Sequence, residues 1–471
     1  MRARIGHLVK VIWSRPWVRF LFYSFMGLWA IAADPFRLSS ATDRAIGEQY
    51  SQFYSRTTPV GNLPITVVII DRESIDGLFN DGRGKLSVGD WPIAYSDHAA
   101  ILTQIVKGKP NPPVGIFYDI LFEKPRLSSG RLELLNRRVE LIQKTTGIPV
   151  FFAAGGPDMP LSGETLSILS SPSLVRTNWH QPVGTYPLVF SDDTNWKESK
   201  SLPPTNFSLE KLSPALSLYK TYCSRSGSCE VPKDGENSFR NNLKIQWPMA
   251  SEGVEGDSGI ECLPKSSSGR YIEVGRRIIK TTLEALFNTE GPAVAATECL
   301  PIHVVQVSDL FRDVQPARLM PPGLKPGDPY VVMVGVVMPS AGDYHRTPVY
   351  GKLPGVFFHA AAFENLHRMG RDYYYHKDLT WLSLSLWFVA AFAMMCHAKY
   401  RRSHPITKPI PVFLGWWVLL IGTVLILHAV LTHVFRIVPE GWLSMMAILP
   451  LLREVVMRHE AGLFDRKEKN K

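Results

Sequence analysis

The chain has 471 residues, a mean hydropathy of -0.01 and a net charge of +10, so it can hold one large domain or several smaller ones. Its excess positive charge lies beside apolar runs, since residues 1–19 and 399–408 carry basic but no acidic side chains. This distribution is typical of the cytoplasmic flanks of membrane segments and not of a phosphate-binding face. We therefore exclude nucleic acid as a partner.

The first apolar run favours a transmembrane helix at residues 17–33, which follows a cytoplasmic N-terminus at residues 1–16. A span needs about 20 apolar residues, and Trp17 and Arg19 can lie at the membrane interface and extend the run. The alternative is a cleaved signal peptide, because residues 30–32 (AIA) resemble a cleavage site. The sequence leaves both alternatives open.

Residues 34–377 contain no comparable run and are expected to form one large periplasmic domain. Its apolar strand segments alternate with helical ones, which predicts an α/β fold with a mostly parallel sheet covered on both faces. The predicted strands are residues 65–70, 114–117, 149–154 and 330–337, and the predicted helices are residues 96–107, 131–145 and a segment starting near 355. Ser96 is the predicted N-cap of the first of these helices.

Residues 156–300 break the alternation and are predicted to be a long insertion with irregular loops, rich in Pro, Ser, Gly and Asn. The insertion contains Cys223, Cys229, Cys262 and Cys299, and an even number of cysteines favours disulfides in an oxidising compartment. Cys223 with Cys229 is the favoured pair, because the Gly/Ser loop between them can bend freely. A zinc site is the competing interpretation, although the C-x2-4-C spacing and the nearby histidines that it needs are missing.

The C-terminal part is predicted to hold three more transmembrane helices, at residues 379–398, 411–432 and 437–452. Four spans in total return two basic segments, the loop 399–410 and the tail 453–471, to the cytoplasm. The predicted fold class is therefore an α/β extracytoplasmic domain with four transmembrane helices. The expected location is the bacterial inner membrane, with the lipid bilayer as one partner.

Three segments resemble the opening of the CHASE2 domain: ITVVIIDRESID (65–76), DWPIAYSDHAAIL (90–102) and VGIFYDILFEKP (114–125). Residues 331–366 are similar to the closing half of that domain. The resemblance covers residues 60–155 and 300–452 and leaves the insertion out. It implies an extracytoplasmic sensor of the kind found in bacterial signalling receptors, with one span before the domain and three after it.

In that family the last span normally leads into a cytoplasmic effector, such as a histidine kinase, a nucleotide cyclase or a diguanylate cyclase. About 19 residues follow Leu452, and they contain no kinase, cyclase or nucleotide-binding motif. We therefore expect a sensor without its own output domain, which senses a periplasmic signal and relays it to a separate effector protein. The alternative is a scaffolding membrane protein that binds another protein through its periplasmic domain. Either protein could form a homo-oligomer.

Four polar residues are candidate ligand-binding positions because they lie where strands end. Asp71 and Asp119 close two predicted strands, and Asp343 and His359 follow the last one. Ligands of open α/β sheets bind at the carboxyl ends of strands. Each aspartate could instead cap the following turn or helix, and His359 could be a packing residue at a helix start.

Neither a metal nor an enzymatic activity is expected from the sequence. Asp343 and His345, with His359 as a third candidate ligand, are spaced too loosely for a metal motif. The chain lacks a Gly-x-Ser-x-Gly elbow, a P-loop and a G-x-G-x-x-G fingerprint. We therefore expect no catalytic residue and no cofactor.

Overall fold

The computed structural model describes residues 16–33, 57–58, 61–81, 84–107, 110–126, 130–156, 159–177, 184–190, 212–233, 236–250, 300–312, 318–338, 343–347, 350–377, 379–403, 419, 422–423 and 426–438. The chain divides into two compact units. The sheet unit comprises residues 48–272 and 292–375, and the helical unit comprises residues 1–47, 273–291 and 376–471.

The strands, in chain order, are β1 (Thr57–Thr58), β2 (Ile65–Ile70), β3 (Gly115–Asp119), β4 (Val150–Ala153), β5 (Gly155–Gly156), β6 (Met159–Pro160), β7 (Ser173–Val175), β8 (Thr185–Tyr186), β9 (Leu243–Lys244), β10 (Met249–Ala250), β11 (His303–Gln306), β12 (Val331–Val336), β13 (Tyr344–Thr347), β14 (Gly351–Pro354), β15 (Tyr375–His376) and β16 (Ile437–Val438). The α-helices are α1 (Pro16–Ala33), α2 (Arg72–Asn80), α3 (Tyr95–Val106), α4 (Leu132–Thr146), α5 (Gly163–Ile168), α6 (Pro214–Ser226), α7 (Val307–Leu310), α8 (Gly355–Met369) and α9 (Thr380–Ser403). Two 3-10 turns are also described, Asn237–Phe239 and Gly370–Asp372.

The sheet unit is built on a parallel sheet, in which six of the described strands lie in the order β11-β2-β12-β3-β4-β7. The central strands are runs of β-branched and aromatic residues that are buried almost throughout, as in a parallel sheet covered on both faces. The mostly parallel α/β sheet is confirmed, and each predicted strand lies within two residues of an observed one. The predicted N-cap of α3 is wrong, because Ala94 and not Ser96 precedes this helix.

Helices cover the two faces of the sheet in different ways. On the first face, α2, α3 and α4 pack with Val68 and Tyr118, whereas on the second face α6 and α8 pack with Val67 and Phe117. The helices that follow β2 and β3 thus lie on the first face, and the helix that follows β12 lies on the second. Because β12 lies between β2 and β3, neighbouring strands lead here into helices on opposite faces of the sheet. Ligand crevices of open α/β sheets form at the carboxyl ends of strands at such a point.

Two glycines let the N-terminus of α8 approach the sheet closely. A Cβ on Gly335 would lie 2.5 Å from the Cβ of Val356, and a Cβ on Gly355 would lie 2.5 Å from Oδ2 of Asp343. Real Cβ atoms do not approach other atoms so closely, so a larger residue at Gly335 would push α8 outward and one at Gly355 would displace the Asp343 side chain. The start of α8 and the loop after β12 therefore meet at the carboxyl edge of the sheet.

The described parts of residues 156–300 correct the expectation of irregular loops. Strand β7 extends the main sheet, β8 pairs antiparallel with β9, and β9 pairs antiparallel with β15. Helix α6 packs on the second face, where Tyr186, Leu218 and Trp247 are fully buried. The insertion supplies a layer of the core. Composition concealed this layer, because its elements are short and Pro, Ser and Gly separate them.

The predicted disulfide between Cys223 and Cys229 is confirmed. It joins the last turn of α6 to the loop that follows, in which Gly227 caps the helix with a left-handed φ of 62°. Cys262 and Cys299 lie outside the described residues, and Cys396 is free and exposed.

The prediction of four transmembrane helices is corrected, since no helix among the described residues is long and apolar enough to cross a membrane. A span requires about 20 consecutive apolar residues. Residues 17–33 belong to α1, which has only 18 residues and includes Arg19. Residues 380–398 belong to α9, which includes serines and ends in basic residues. Residues 411–432 are described only in part, and residues 439–452 lie outside the described residues.

In the helical unit, α1 packs against α9 around Tyr23 and Trp387, which are 1% and 2% exposed. Trp387 Nε1 donates a hydrogen bond to the carbonyl oxygen of Tyr23 at 3.1 Å. Other large apolar side chains of these helices are exposed, among them Phe25, Trp381 and Phe392. The unit therefore combines a small buried seam with an apolar outer surface.

Candidate functional site

Asp71, the first sequence-predicted site residue, caps α2. Its Oδ1 accepts a hydrogen bond from the backbone N–H of Ser74 at 2.8 Å, and its Oδ2 accepts one from Nε2 of Gln306 at 3.2 Å. Both oxygens thus have partners within the protein. In this structure Asp71 is therefore the N-cap of α2, as the capping alternative predicts.

Asp119 and His359 face each other at the end of β3 and the start of α8. Oδ2 of Asp119 lies 3.7 Å from Nε2 of His359, and the two side chains are only 9% and 3% exposed. The other ring nitrogen of His359, Nδ1, is 2.7 Å from the hydroxyl oxygen of Tyr186. A strand, a helix and the insertion thus contribute one polar side chain each to a buried chain, Asp119–His359–Tyr186.

The Tyr186 hydroxyl links His359 to the insertion. Its oxygen accepts a hydrogen bond from the backbone N–H of Ala215 at 3.3 Å, and burial raises the pKa of this tyrosine, so it keeps its proton. The same hydroxyl shares a hydrogen bond with Nδ1 of His359, whose direction depends on the tautomer of the imidazole. The other ring nitrogen, Nε2, faces Asp119.

Asp343 and His345 lie on the more exposed side of the buried chain, with side chains that are 46% and 61% exposed. Nε2 of His345 is 3.0 Å from Oδ1 of Asp343, and the backbone N–H of Gly355 donates to the carbonyl oxygen of Asp343 at 3.0 Å. These contacts hold the loop after β12 against the first turn of α8. The structure therefore brings together three of the four predicted residues: Asp119, Asp343 and His359.

Burial disfavours the charged forms of both Asp119 and His359. It raises the pKa of Asp119 well above its ordinary value, and the negative charge of Asp343 raises it further. Burial lowers the pKa of His359 to about 3, and the nearby His345 contributes to this lowering. A charged group at the exposed side of the pair would change this balance, and a positive one would favour the ionised form of Asp119.

No group of three or more His, Cys, Asp or Glu side chains is arranged to hold a metal ion in the part of the chain that the structure describes. The polar residues of the site can instead donate, accept and exchange protons. Their arrangement fits the recognition of a small polar ligand by hydrogen bonds and charge.

Residues 25–396 match the family model described as CHASE2 domain. The chain belongs to the CHASE2 family. The match includes the insertion, which the sequence resemblance left out, and it indicates a sensory role for this CHASE2 protein. No curated protein and no solved structure matches the chain.

Sequence reasoning missed Tyr186 altogether, because it lies in the insertion, far from any recognisable strand. His345 was considered only as a metal ligand, whereas its contacts are with Asp343 and the ring of Phe358. The positions of Asp119, Asp343 and His359 after buried strands signalled the site in the sequence. Tyr186 can be assigned to the site only from the fold, because 173 residues separate it from His359 in the sequence.

Proposed function

We propose that this CHASE2 protein senses a small polar ligand at the carboxyl ends of β3 and β12. The observation that carries the proposal is the buried Asp119–His359–Tyr186 chain at the switch point of the sheet. Burying polar side chains costs free energy, so a fold without a use for them would place apolar residues there. Buried groups with shifted pKa values in such a crevice are typical of functional sites.

The charges around the crevice favour a ligand that carries a positive or proton-donating group. Asp343 is half-exposed beside the buried Asp119, and its charge raises the pKa of Asp119. A cationic group placed between the two carboxyl groups would relieve this repulsion and lower the pKa of Asp119. Binding would then release a proton from the pair.

We propose that α8 carries the signal away from the crevice. His359 lies in its first half, and the segment after its end, residues 370–376, leads along the chain to α9. Arg371 in this segment bonds to Glu230 and Glu236, and the Tyr373 hydroxyl donates to the carbonyl oxygens of Ser238 and Asn241. A ligand that shifts α8 would change these contacts as a population shift between two arrangements. A separate effector protein would read the shift at the helical unit.

We also propose that the protein works outside the cytoplasm, at the inner membrane. The disulfide between Cys223 and Cys229 supports an oxidising compartment. The exposed side chains of Phe25 and Trp381 on the helical unit support contact with lipid, because exposed apolar patches mark interaction surfaces.

A thermal-shift screen of the full chain against small amines, amino acids and other polar metabolites tests the site. We expect at least one compound to raise the melting temperature by about 4 °C or more. Asp119→Asn should abolish the shift and keep the fold, because asparagine resembles the uncharged aspartic acid. Glu133→Gln, at an exposed position of α4, is the matched control and should keep the shift in melting temperature. A hit that Asp119→Asn binds equally well would refute this site, and a co-purifying protein without any hit would favour the scaffold alternative.

A further inference from the structure

A second buried histidine, His98, lies on the first face of the sheet, in the first turn of α3. Its side chain is fully buried, and its Nδ1 is 2.8 Å from the hydroxyl oxygen of Tyr118 on β3. Its Nε2 has no hydrogen-bond partner in the part of the chain that the structure describes. Buried polar atoms are almost always paired, so this orphan nitrogen points to a missing partner.

The contact between His98 and Tyr118 fits a tautomer with the proton on Nε2. Burial raises the pKa of Tyr118, so its hydroxyl keeps its proton and can donate it to Nδ1 of His98. Burial and the charge of Arg126 lower the pKa of His98 to about 3, so the ring is neutral. A neutral imidazole that accepts at Nδ1 has its N–H at Nε2. In this tautomer the missing partner is a hydrogen-bond acceptor.

The surroundings of His98 are aromatic and carry one positive charge. The rings of Trp91, Tyr118 and Phe122 meet the imidazole edge to face, with centroids 6.0, 5.7 and 5.2 Å away. The Arg126 guanidinium lies 5.8 Å from the ring centre of Tyr95, close enough to His98 to lower its pKa. Trp91 and Arg126 are half-buried, so this corner of the sheet unit reaches solvent.

The N-terminus of α3 adds donors at the same place. Its N-cap is Ala94, which offers no side-chain acceptor. The N–H groups of Asp97 and His98 donate to the carbonyl oxygen of Ala94, so the donors at this end of the 12-residue helix are the N–H groups of Tyr95 and Ser96. The acidic residue in its first turn, Asp97, already accepts hydrogen bonds from the backbone N–H and hydroxyl of Ser87 at 2.8–3.1 Å. With Asp97 so close, the single guanidinium balances a ligand with one negative charge better than one with two.

We propose that His98, Arg126 and the N-terminus of α3 bind the carboxylate of a small organic monoanion. The Nε2–H of His98 and the guanidinium of Arg126 donate to the carboxylate oxygens, and the half-buried Trp91 moves aside as the ligand enters. The apolar body of the ligand packs on Trp91 and Phe122. This site lies on the face of the sheet opposite to Asp119, since neighbouring residues of β3 point to opposite faces.

Calorimetric titration of the full chain with benzoate, acetate and inorganic phosphate at constant ionic strength tests the site. We expect benzoate to bind saturably and about tenfold more tightly than acetate, because only benzoate has a ring to pack on Trp91. Phosphate should bind more weakly than benzoate. Arg126→Gln should weaken benzoate binding by about tenfold or more, since it removes the only guanidinium in the proposed site.

Lys124→Gln is the matched control, because it removes one positive charge from the same loop at an exposed position. It should change the benzoate affinity by about twofold or less. His98→Gln should abolish binding, and circular dichroism would show whether that variant folds. The proposal is overturned if benzoate gives no saturable binding up to about 20 mM, or if Lys124→Gln and Arg126→Gln weaken binding equally.

Discussion

Glu364 is a buried acid of α8, and it sets a pH dependence at the scale of a single residue. The residue is 2% exposed, its Oε2 accepts a hydrogen bond from Nδ2 of Asn365 at 2.8 Å, and Nε of Arg368 lies 3.4 Å from its Oε1. Burial raises the pKa of Glu364 to about 7, against the lowering effect of Arg368. The folded protein therefore prefers the protonated form of Glu364 at pH values below about 7.

The pH profile of stability should reveal this acid. The pKa of Glu364 in the folded protein lies above its ordinary value of 4.5. The protonated side chain therefore contributes fully to stability below about pH 4.5, and this contribution is lost as the pH rises toward about 7. In Glu364→Gln the side chain stays neutral at every pH, so the variant does not lose this contribution. The free energy of unfolding of the variant minus that of the wild type should therefore rise by about 3 kcal/mol between about pH 4 and about pH 8. Urea unfolding at both pH values measures the difference. A difference that does not change with pH would show that Glu364 is not protonated in the fold.

Asn365 fastens α8 to the insertion through the backbone of Gln246. Its Oδ1 accepts from the Gln246 N–H at 2.7 Å, and its Nδ2 donates to the Gln246 carbonyl oxygen at 2.8 Å. Asn365→Ala would leave both buried backbone groups without partners, so we expect a loss of about 3 kcal/mol in the free energy of unfolding. Chemical denaturation measures it. A loss below about 1 kcal/mol would mean that water or a rearranged strand replaces the amide.

At the scale of elements, the close approach of α8 to β12 depends on Gly335. A Cβ at this position would lie 2.5 Å from the Cβ of Val356, so Gly335→Ala must displace the first turn of α8. We expect a loss of about 2 kcal/mol in stability and a weaker response to any ligand of the crevice. Gly77→Ala is the matched control, because nothing lies within 4 Å of a Cβ there and alanine favours the helix. Equal stabilities of the two variants would contradict this packing.

The disulfide is the second element-scale device, since it holds the end of α6 near the segment that pairs with Arg371. Closing so short a loop restricts the unfolded chain by about 2 kcal/mol, so the double variant Cys223→Ala/Cys229→Ala should lose roughly that amount. Cys396→Ala, which removes the free cysteine, should leave stability unchanged. Denaturation curves of both variants measure the effect. Equal stabilities of the two would show that the bond does not restrain this loop.

Elements with strong local patterns could be predicted from the sequence, and elements held by distant contacts could not. The buried runs of β2 and β12 contain nothing but strand-forming or small residues, so their type and bounds follow from local sequence. Strand β7 and helix α6 are recognisable only through their partners, β4 and the second face. At the site, Asp119 follows from its place after a strand, whereas Tyr186 follows only from the packing of the insertion.

At the scale of the whole molecule, the chain combines a cluster of polar side chains at the strand ends of the sheet unit with an apolar surface on the helical unit. The apolar runs near both ends were predicted from hydropathy to be transmembrane helices. In the structure, the described helices at these runs do not reach the required length and apolarity, because they include Arg19 or serines and basic residues. Local hydropathy identified where these helices lie and overestimated their length and apolarity.

Hydrogen–deuterium exchange of the full chain, with and without a compound that passes the thermal-shift screen, tests most directly whether the crevice is the sensory site. Amide exchange reports the local opening of each segment. We predict that exchange slows by about fivefold or more at residues 117–120 and 355–360, which carry Asp119 and His359, and stays unchanged at residues 132–146 of α4. Protection confined to other segments, or equal protection in Asp119→Asn, would contradict the account.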